Sequence, residues 1–399
     1  MGQSMVRRAG AVILFALFSA TMVQAAGLER VAVNAQQLDF ARRELQAPPA
    51  VKQRLQTLRQ EITAKHLTFT VGYTEALDLP LEKLAGLRPP VNAQDLAKRA
   101  TVIGLELDNA DKLAMQEFVK IKNIQLPEAQ LQCMATLAAW DFRKISKVTP
   151  VKNQMGCGSC WDFGACGALE SSYLIRNNQT IDVSEQQILS CAGIGTCEGS
   201  WYTGVFDYMI SQGAGKEADY PYVGGDAPCK GAIAMPYRAV AQGAVHPEAA
   251  IPSVAQIKEG LCQYGPLAIG VLVRDGFHAY TGGVLNDGAV PLTVVGSDGK
   301  TYYNVNHCVL LIGWDDSKGA WLIKNSWGTN WGSTCEYGTE RGYIWIKYGN
   351  DNVGLLPGWV RAKNVAYTLD PSRLRKYYPR FVPFPPDELQ KLQPLQLRR

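Results

Sequence analysis

Gln154-Met155-Gly156-Cys157-Gly158-Ser159-Cys160-Trp161 is the stretch from which the rest of this chain is best read. Cys160 follows a Gly-Ser turn and opens a helix-like run from Trp161 to Arg176. A thiol at that point sits at the positive end of the helix dipole, which favours the thiolate, the reactive form of cysteine. Gln154 stands six positions upstream, close enough to aim its side-chain amide at charge developing on a carbonyl oxygen held at the thiol.

A thiol nucleophile needs a base, and the chain has four histidines. His66 falls in an N-terminal module, His246 in a loop-like stretch before a proline, and His278 in Phe277-His278-Ala279-Tyr280. His307 stands at a strand entrance, Asn306-His307-Cys308-Val309-Leu310, and follows Cys160 by 147 positions. An imidazole that shares a proton with a thiol needs its other nitrogen held, so that ring and tautomer stay fixed. Asn325, in Lys324-Asn325-Ser326-Trp327-Gly328, is the candidate.

These three blocks together resemble the papain family of cysteine peptidases, over about residues 141 to 363. The resemblance implies a two-lobed α+β fold, with a helical lobe, a β-barrel-like lobe and the active-site cleft between them. It implies acyl transfer by Cys160, with His307 as base and Asn325 orienting it. The Gln154 amide and the Cys160 N–H would hold the oxyanion, and Trp327 would screen the Asn325–His307 hydrogen bond. It places Gly199, Ser200, Trp201, Asn306 and Trp327 along the substrate. It pairs Cys157 with Cys197, and Cys191 with Cys229. It calls for no cofactor and no metal.

Two rival readings of the cysteines fail on their neighbours. A thioredoxin-type Cys157-x-x-Cys160 pair normally has its aromatic residue before the first cysteine, whereas Trp161 follows the second. A zinc site from Cys157, Cys160, Cys191 and Cys197 leaves Gln154, His307 and Asn325 unexplained.

The chain departs from the family at three places. Glu198-Gly199-Ser200-Trp201 stands where the family has Asn-Gly-Gly, so Ser200 brings a side chain and Trp201 is expected to narrow the adjoining pocket. Asp162 occupies a position that is usually small, and is read either as a charge supporting protonated His307 or as a solvent-facing residue. Apparent insertions over 285–303 and 333–341 flank the cleft. Endopeptidase and exopeptidase action both stay open, as do a catalytically silent binding protein of the same fold and an acyltransferase using the same residues.

The rest of the chain frames this domain. Met1 to Ala26 has two arginines, a mostly apolar run of about 13 residues, too short to span a bilayer, and a small-residue cleavage site, so it reads as an export signal. Export permits disulfides. Of ten cysteines, Cys133 precedes the expected peptidase domain and nine follow. An odd count leaves at least one thiol without an intramolecular partner, with Cys160 the natural one, while Cys166 reads as a buried helical residue. Residues 27–136 read as a propeptide, with helical patterning broken at Pro48-Pro49, a strand-like Leu67 to Tyr73 and a helix-like Ala93 to Val119. This module lacks the interspersed helical motif of many papain-family propeptides.

In the domain itself (137–366), Ser184 to Gln187 and Ser253 to Gln256 have capping-box spacing. Leu267 to Val273, Cys308 to Gly313, Ala320 to Lys324 and Tyr343 to Lys347 read as strands. Helices early and strands late give an α+β body in two lobes. The Pro-rich, basic tail from 367 to 399 reads as extended or disordered.

The net charge of +4 invites a nucleic-acid reading, which fails on distribution: residues from Pro371 onward carry +5 and the remainder is near neutral. The expected partners are polypeptide substrates and the chain's own propeptide, with no membrane after signal removal and a monomeric state. The expected location is extracellular or periplasmic, or a lysosome-like compartment in a eukaryote. Asn178-Gln179-Thr180 is a glycosylation sequon.

Overall fold

The computed structural model describes residues 38–122, 132–364 and 371–379. The expected export signal (1–26) and most of the C-terminal tail lie outside them. In the N-terminal module, helix α1 (Pro49–Ala64) starts with proline at its first position, where the missing N–H costs nothing. Strand β1 (Phe69–Val71), two short 3-10 turns (Glu75–Asp78 and Leu81–Lys83) and the 30-residue helix α2 (Ala93–Lys122) follow.

The peptidase domain opens with β2 (Ala139–Asp141) and the buried helix α3 (Cys160–Asn177). Helices α4 (Glu185–Cys191) and α5 (Thr203–Ser211) complete the helical side. Ser184 caps α4 by accepting from the Gln187 N–H, and Ser253 and Gln256 form a full capping box on α6 (Val254–Tyr264). The remaining elements are β3 (Ala239–Ala244), β4 (Leu267–Val271), the single turn α7 (Asp275–His278), β5 (Tyr280–Leu285), β6 (Thr293–Val295), β7 (Thr301–Tyr303), β8 (His307–Asp315), β9 (Ala320–Lys324), β10 (Tyr343–Lys347), β11 (Leu355–Ala362) and α8 (Pro371–Tyr377). Among the described residues no helix is long and apolar enough to cross a membrane.

Nine strands form one sheet in the order β1-β5-β10-β9-β8-β4-β11-β3, with β2 paired to β8 off that path. Its central strands β8, β9 and β4 are apolar almost throughout and buried on both faces, which matches their unbroken hydrophobic runs. This corrects the β-barrel-like lobe: the sheet stays open. One end is extended by β1 of the N-terminal module, antiparallel to β5. The other end, β3, is covered by α2. Gly104 lies so close to this edge that a Cβ would stand 1.6 Å from the Gln242 carbonyl oxygen. The Thr101 hydroxyl accepts from the Ala244 N–H at 2.8 Å, meeting an edge group that barrel closure would otherwise pair. Two buried ion pairs, Asp108–Arg361 at 2.7 Å and Asp111–Arg176 at 2.6 Å, fasten the helix.

Two further expectations change. Residues 371–377 are helical, not extended: Leu374 is fully buried, and the Tyr378 hydroxyl donates to Asp207. Cys133 is bonded to Cys262 on α6, so residues just upstream of β2 are tied to the peptidase body. Cys133 thus joins the paired set, and four thiols stay free: Cys160, as expected, with Cys166, Cys308 and Cys335. The pairs Cys157–Cys197 and Cys191–Cys229 stand as the resemblance implied.

Candidate active site

Cys160 is the first residue of α3 and is fully buried. Gly158 and Ser159 lead into it, and the Gly158 N–H donates to the Cys197 carbonyl at 2.9 Å. The Cys157–Cys197 bond thus joins the turn to the loop 197–200. His307 opens β8, and the next residue, Cys308, packs on Gly164, one helical turn after Cys160. Nε2 of His307 lies 2.8 Å from Oδ1 of Asn325, while Nδ1 has no hydrogen-bond partner among the described residues. Because Oδ1 only accepts, the proton belongs on Nε2 and the lone pair on Nδ1. Trp327 lies over the imidazole, with ring centres 4.8 Å apart, and Phe277 closes another side edge-on. These two rings keep water from the Asn325–His307 bond.

Gln154 is held on both sides of its amide. Ser326 Oγ donates to Oε1 at 2.6 Å, and Nε2 donates to the Cys157 carbonyl at 2.8 Å and to the Leu84 carbonyl at 3.0 Å. Leu84 belongs to the N-terminal module. From there the module runs straight through the cleft. The Ser200 N–H donates to the Gly86 carbonyl at 3.0 Å, and the Arg88 N–H to the Ser200 carbonyl at 2.8 Å. Leu87, fully buried between them, donates its N–H to the Asn306 carbonyl at 2.8 Å. A side chain on Gly86 would put Cβ 1.7 Å from the Gly158 carbonyl oxygen, so only glycine passes this point.

Gly199 and Ser200 meet the Gly86 segment directly, and Asn306 meets Leu87. Gly199 adopts φ +118° beneath the Gly86 carbonyl. The Ser200 hydroxyl turns away to the Ile194 carbonyl, leaving its backbone free to pair. Trp201 is buried against Tyr202, with ring centres 4.5 Å apart. Asn306 fixes its amide on both backbone groups of Val273.

Asp162 departs from both sequence readings. It is fully buried and does not meet solvent; Oδ1 accepts from the Cys166 thiol at 3.3 Å, and Oδ2 is unpartnered. Burial first, then Glu185, push its carboxyl well above the usual carboxylate range, so the site disfavours a charge on Asp162 rather than supplying one to His307. Below it, Lys152 bonds both Glu170 and Glu185 at 2.8–2.9 Å. With the cleft filled, burial pushes the Cys160 thiol up to about 11 and His307 down to about 4, so both are uncharged in this state.

Sequence reasoning missed Leu84, Gly86 and Leu87, and also Ser326 and Tyr222. The Tyr222 hydroxyl lies 2.8 Å from Ser159 Oγ and donates to the Gln154 carbonyl. A lone glycine between Leu84-Ala85 and Leu87 was the available signal for the first three, since glycine inside an extended apolar run marks close backbone approach.

Residues 137–358 match the family model described as papain family cysteine protease, and the chain belongs to that family. Among curated relatives, it is 35% identical to the viral cathepsin of Heliothis zea nuclear polyhedrosis virus over 54% of each chain. It is 32% identical to pro-cathepsin H of Mus musculus, over 60% of this chain and 72% of that one. The chain thus spans little more than half the length of the viral relative. The fold is shared with digestive procathepsin L2 from Tenebrio molitor larval midgut (TM-score 0.57, 22% identity, 82% of this chain and 99% of that one). It is also shared with the proform of the ragweed pollen protease Amb a 11 (TM-score 0.53, 22% identity, 82% and 94%).

Proposed function

We propose that this chain is an exported cysteine peptidase, made as a precursor whose N-terminal module fills its own cleft. The observation that carries this reading is the Leu84 carbonyl on the Gln154 amide, beside Cys160 and the His307–Asn325 pair. A peptide carbonyl already rests on the donor that would hold a substrate's oxyanion.

Once the module leaves, water relieves the burial of both groups, the start of α3 favours the thiolate, and the Cys160 proton passes to His307 Nδ1. The thiolate attacks the scissile carbonyl carbon, forming a C–S bond while the π pair moves to oxygen. Gln154 Nε2 and the Cys160 N–H receive that oxyanion. Its collapse breaks the C–N bond, and His307 gives its proton to the departing amine. Water, deprotonated by His307, then releases the acyl group and restores the thiol. Ser200 and Asn306 bind the peptide backbone as they now bind Gly86 to Arg88, and the pocket filled by Leu87 takes a substrate side chain. Asn325 keeps the His307 tautomer, and Trp327 keeps water off that bond.

Cys133 moves the expected processing boundary. A cut at 136 would leave the module bonded to Cys262, so release without a reductant requires a cut N-terminal to Cys133. The export signal and three disulfides agree with an oxidising compartment.

The test incubates precursor at mildly acidic pH with reducing agent, beside Cys160→Ala, following intact mass and peptide hydrolysis together. Wild type is expected to lose the module and gain activity while the variant does neither. An inert wild type, even after an added protease removes the module, would instead favour a silent binding protein of this fold.

A further inference from the structure

We infer that His278 is a proton-triggered latch that holds the N-terminal module on the peptidase domain, and that protonating its ring opens the module. The inference rests on the precursor reading above and names the group that regulates it.

His278 ends α7 on the peptidase side, and its side chain plays no part in the acyl-transfer scheme. The ring is 1% exposed and bonded to the module at both nitrogens. Nε2 lies 2.6 Å from the Ala76 carbonyl oxygen, and Nδ1 lies 3.1 Å from Nη2 of Arg54 on α1. A carbonyl only accepts and a guanidinium only donates. The contact set therefore requires the neutral ring, with its proton on Nε2 and its lone pair on Nδ1. Protonation puts an N–H on Nδ1 that faces a cation and a donor, and turns the Arg54 contact from a hydrogen bond into a repulsion.

The surrounding charges do not remove that conflict. On its own helix, Asp275 is paired with Arg54 at 2.5 Å and is more than half exposed. From the 3-10 turns, Glu75 is held by Asn330, Asp78 by Arg43 and Tyr73, and Glu82 acts only at a distance. The remaining neighbours, Trp327, Trp331 and Phe277, are uncharged aromatics. The Thr74 hydroxyl donates to the His278 carbonyl, and the His278 turn also sits under Trp327, which covers His307. Loosening this contact therefore frees the module on the side from which it enters the cleft.

The direction follows from linkage. Burial, with Arg54 adding to it, lowers the ring from 6.5 to about 4 in the closed precursor. A histidine so depressed supports the closed form fully above the open-state value, and that support is lost as pH falls from about 6.5 toward 4. At pH 5 the closed form is weakened roughly 30-fold if the open ring has its ordinary value.

The experiment uses full-length precursor with Cys160→Ala, so that nothing is cleaved, and reads amide hydrogen-exchange protection factors over residues 69–88 between pH 7 and pH 5. Protection is expected to fall on the order of 30-fold with histidine at 278 and to stay within about threefold in His278→Gln. Arg54→Gln, a change at a part-exposed surface position, removes a cation that lowers the closed-state ring and should make the loss of protection at pH 5 smaller. Equal pH profiles for the parent and His278→Gln, or an undiminished loss in Arg54→Gln, would overturn the latch. Because the readout needs no catalysis, that failure is distinct from failure of the peptidase reading, which peptide hydrolysis by the processed wild type decides.

Discussion

Ser326 donates its hydroxyl to Oε1 of Gln154 at 2.6 Å, and this bond decides which end of the amide faces the cleft. With Oε1 so engaged, Nε2 is turned to the Leu84 carbonyl. Gln154→Ala is expected to lower kcat of the processed enzyme by about 10²–10³, and Cys160→Ala to abolish activity. Ser326→Ala keeps the amide but frees its orientation, and should cost on the order of tenfold. Steady-state kinetics on one peptide substrate check all three, and wild-type activity in Gln154→Ala would remove the oxyanion role.

Gly86 passes Gly158 with no room for a Cβ. Gly86→Ala should lift the 84–88 segment out of the groove, breaking its pairing with Ser200. The precursor would then hydrolyse peptide before any change in mass, while the processed enzyme, which lacks residue 86, is unchanged. Initial rates measured alongside intact mass check this, and a silent Gly86→Ala precursor would contradict the role given to the Gly86–Gly158 contact.

Much of this arrangement was legible because it is local. The turn into Cys160, the capping box at Ser253 and the strand Ala320–Lys324 each depend on a few neighbouring residues, and they appear where sequence placed them. Cys160, His307 and Asn325 could be chosen because short motifs surround each. The path of Leu84 to Arg88 could not be read, since it depends on backbone pairing with Ser200 and Asn306 more than 100 positions away. The open sheet was hidden for the same reason: α2 covering β3 is set by Thr101, Gly104 and Asp108 meeting distant groups. Asp162 misled because sequence shows a charge where burial raises the carboxyl and disfavours that charge.

The Cys133–Cys262 bond predicts where processing occurs. The mature chain should start N-terminal to Cys133, and the module should separate in non-reducing mass spectrometry. A start between Cys133 and Ala139 would instead give a module released only by reductant. Cys133→Ser should reduce the stability of the mature domain by about 2–4 kcal/mol in denaturant titration.

Asp162→Asn tests the neutral acid. The native carboxyl is raised by burial and by Glu185, so the folded state binds more protons than the unfolded one, and wild type loses stability as pH rises above the usual carboxylate range. Asparagine of the same shape has no such loss. The Tm of Asp162→Asn minus that of wild type should therefore increase from pH 4 to pH 8. A constant difference would mean that Asp162 is already ionised and compensated by Lys152.

The central claim is that one of four free thiols is the nucleophile and that the module covers it. Intact mass and peptide mapping after reaction with a thiol-directed peptidyl electrophile test this most directly, before and after the module is removed. One adduct is predicted, on Cys160, in the processed enzyme, with none in the closed precursor and none on Cys166, Cys308 or Cys335 in either. Equal labelling of precursor and processed enzyme, or an adduct on another cysteine, would contradict it.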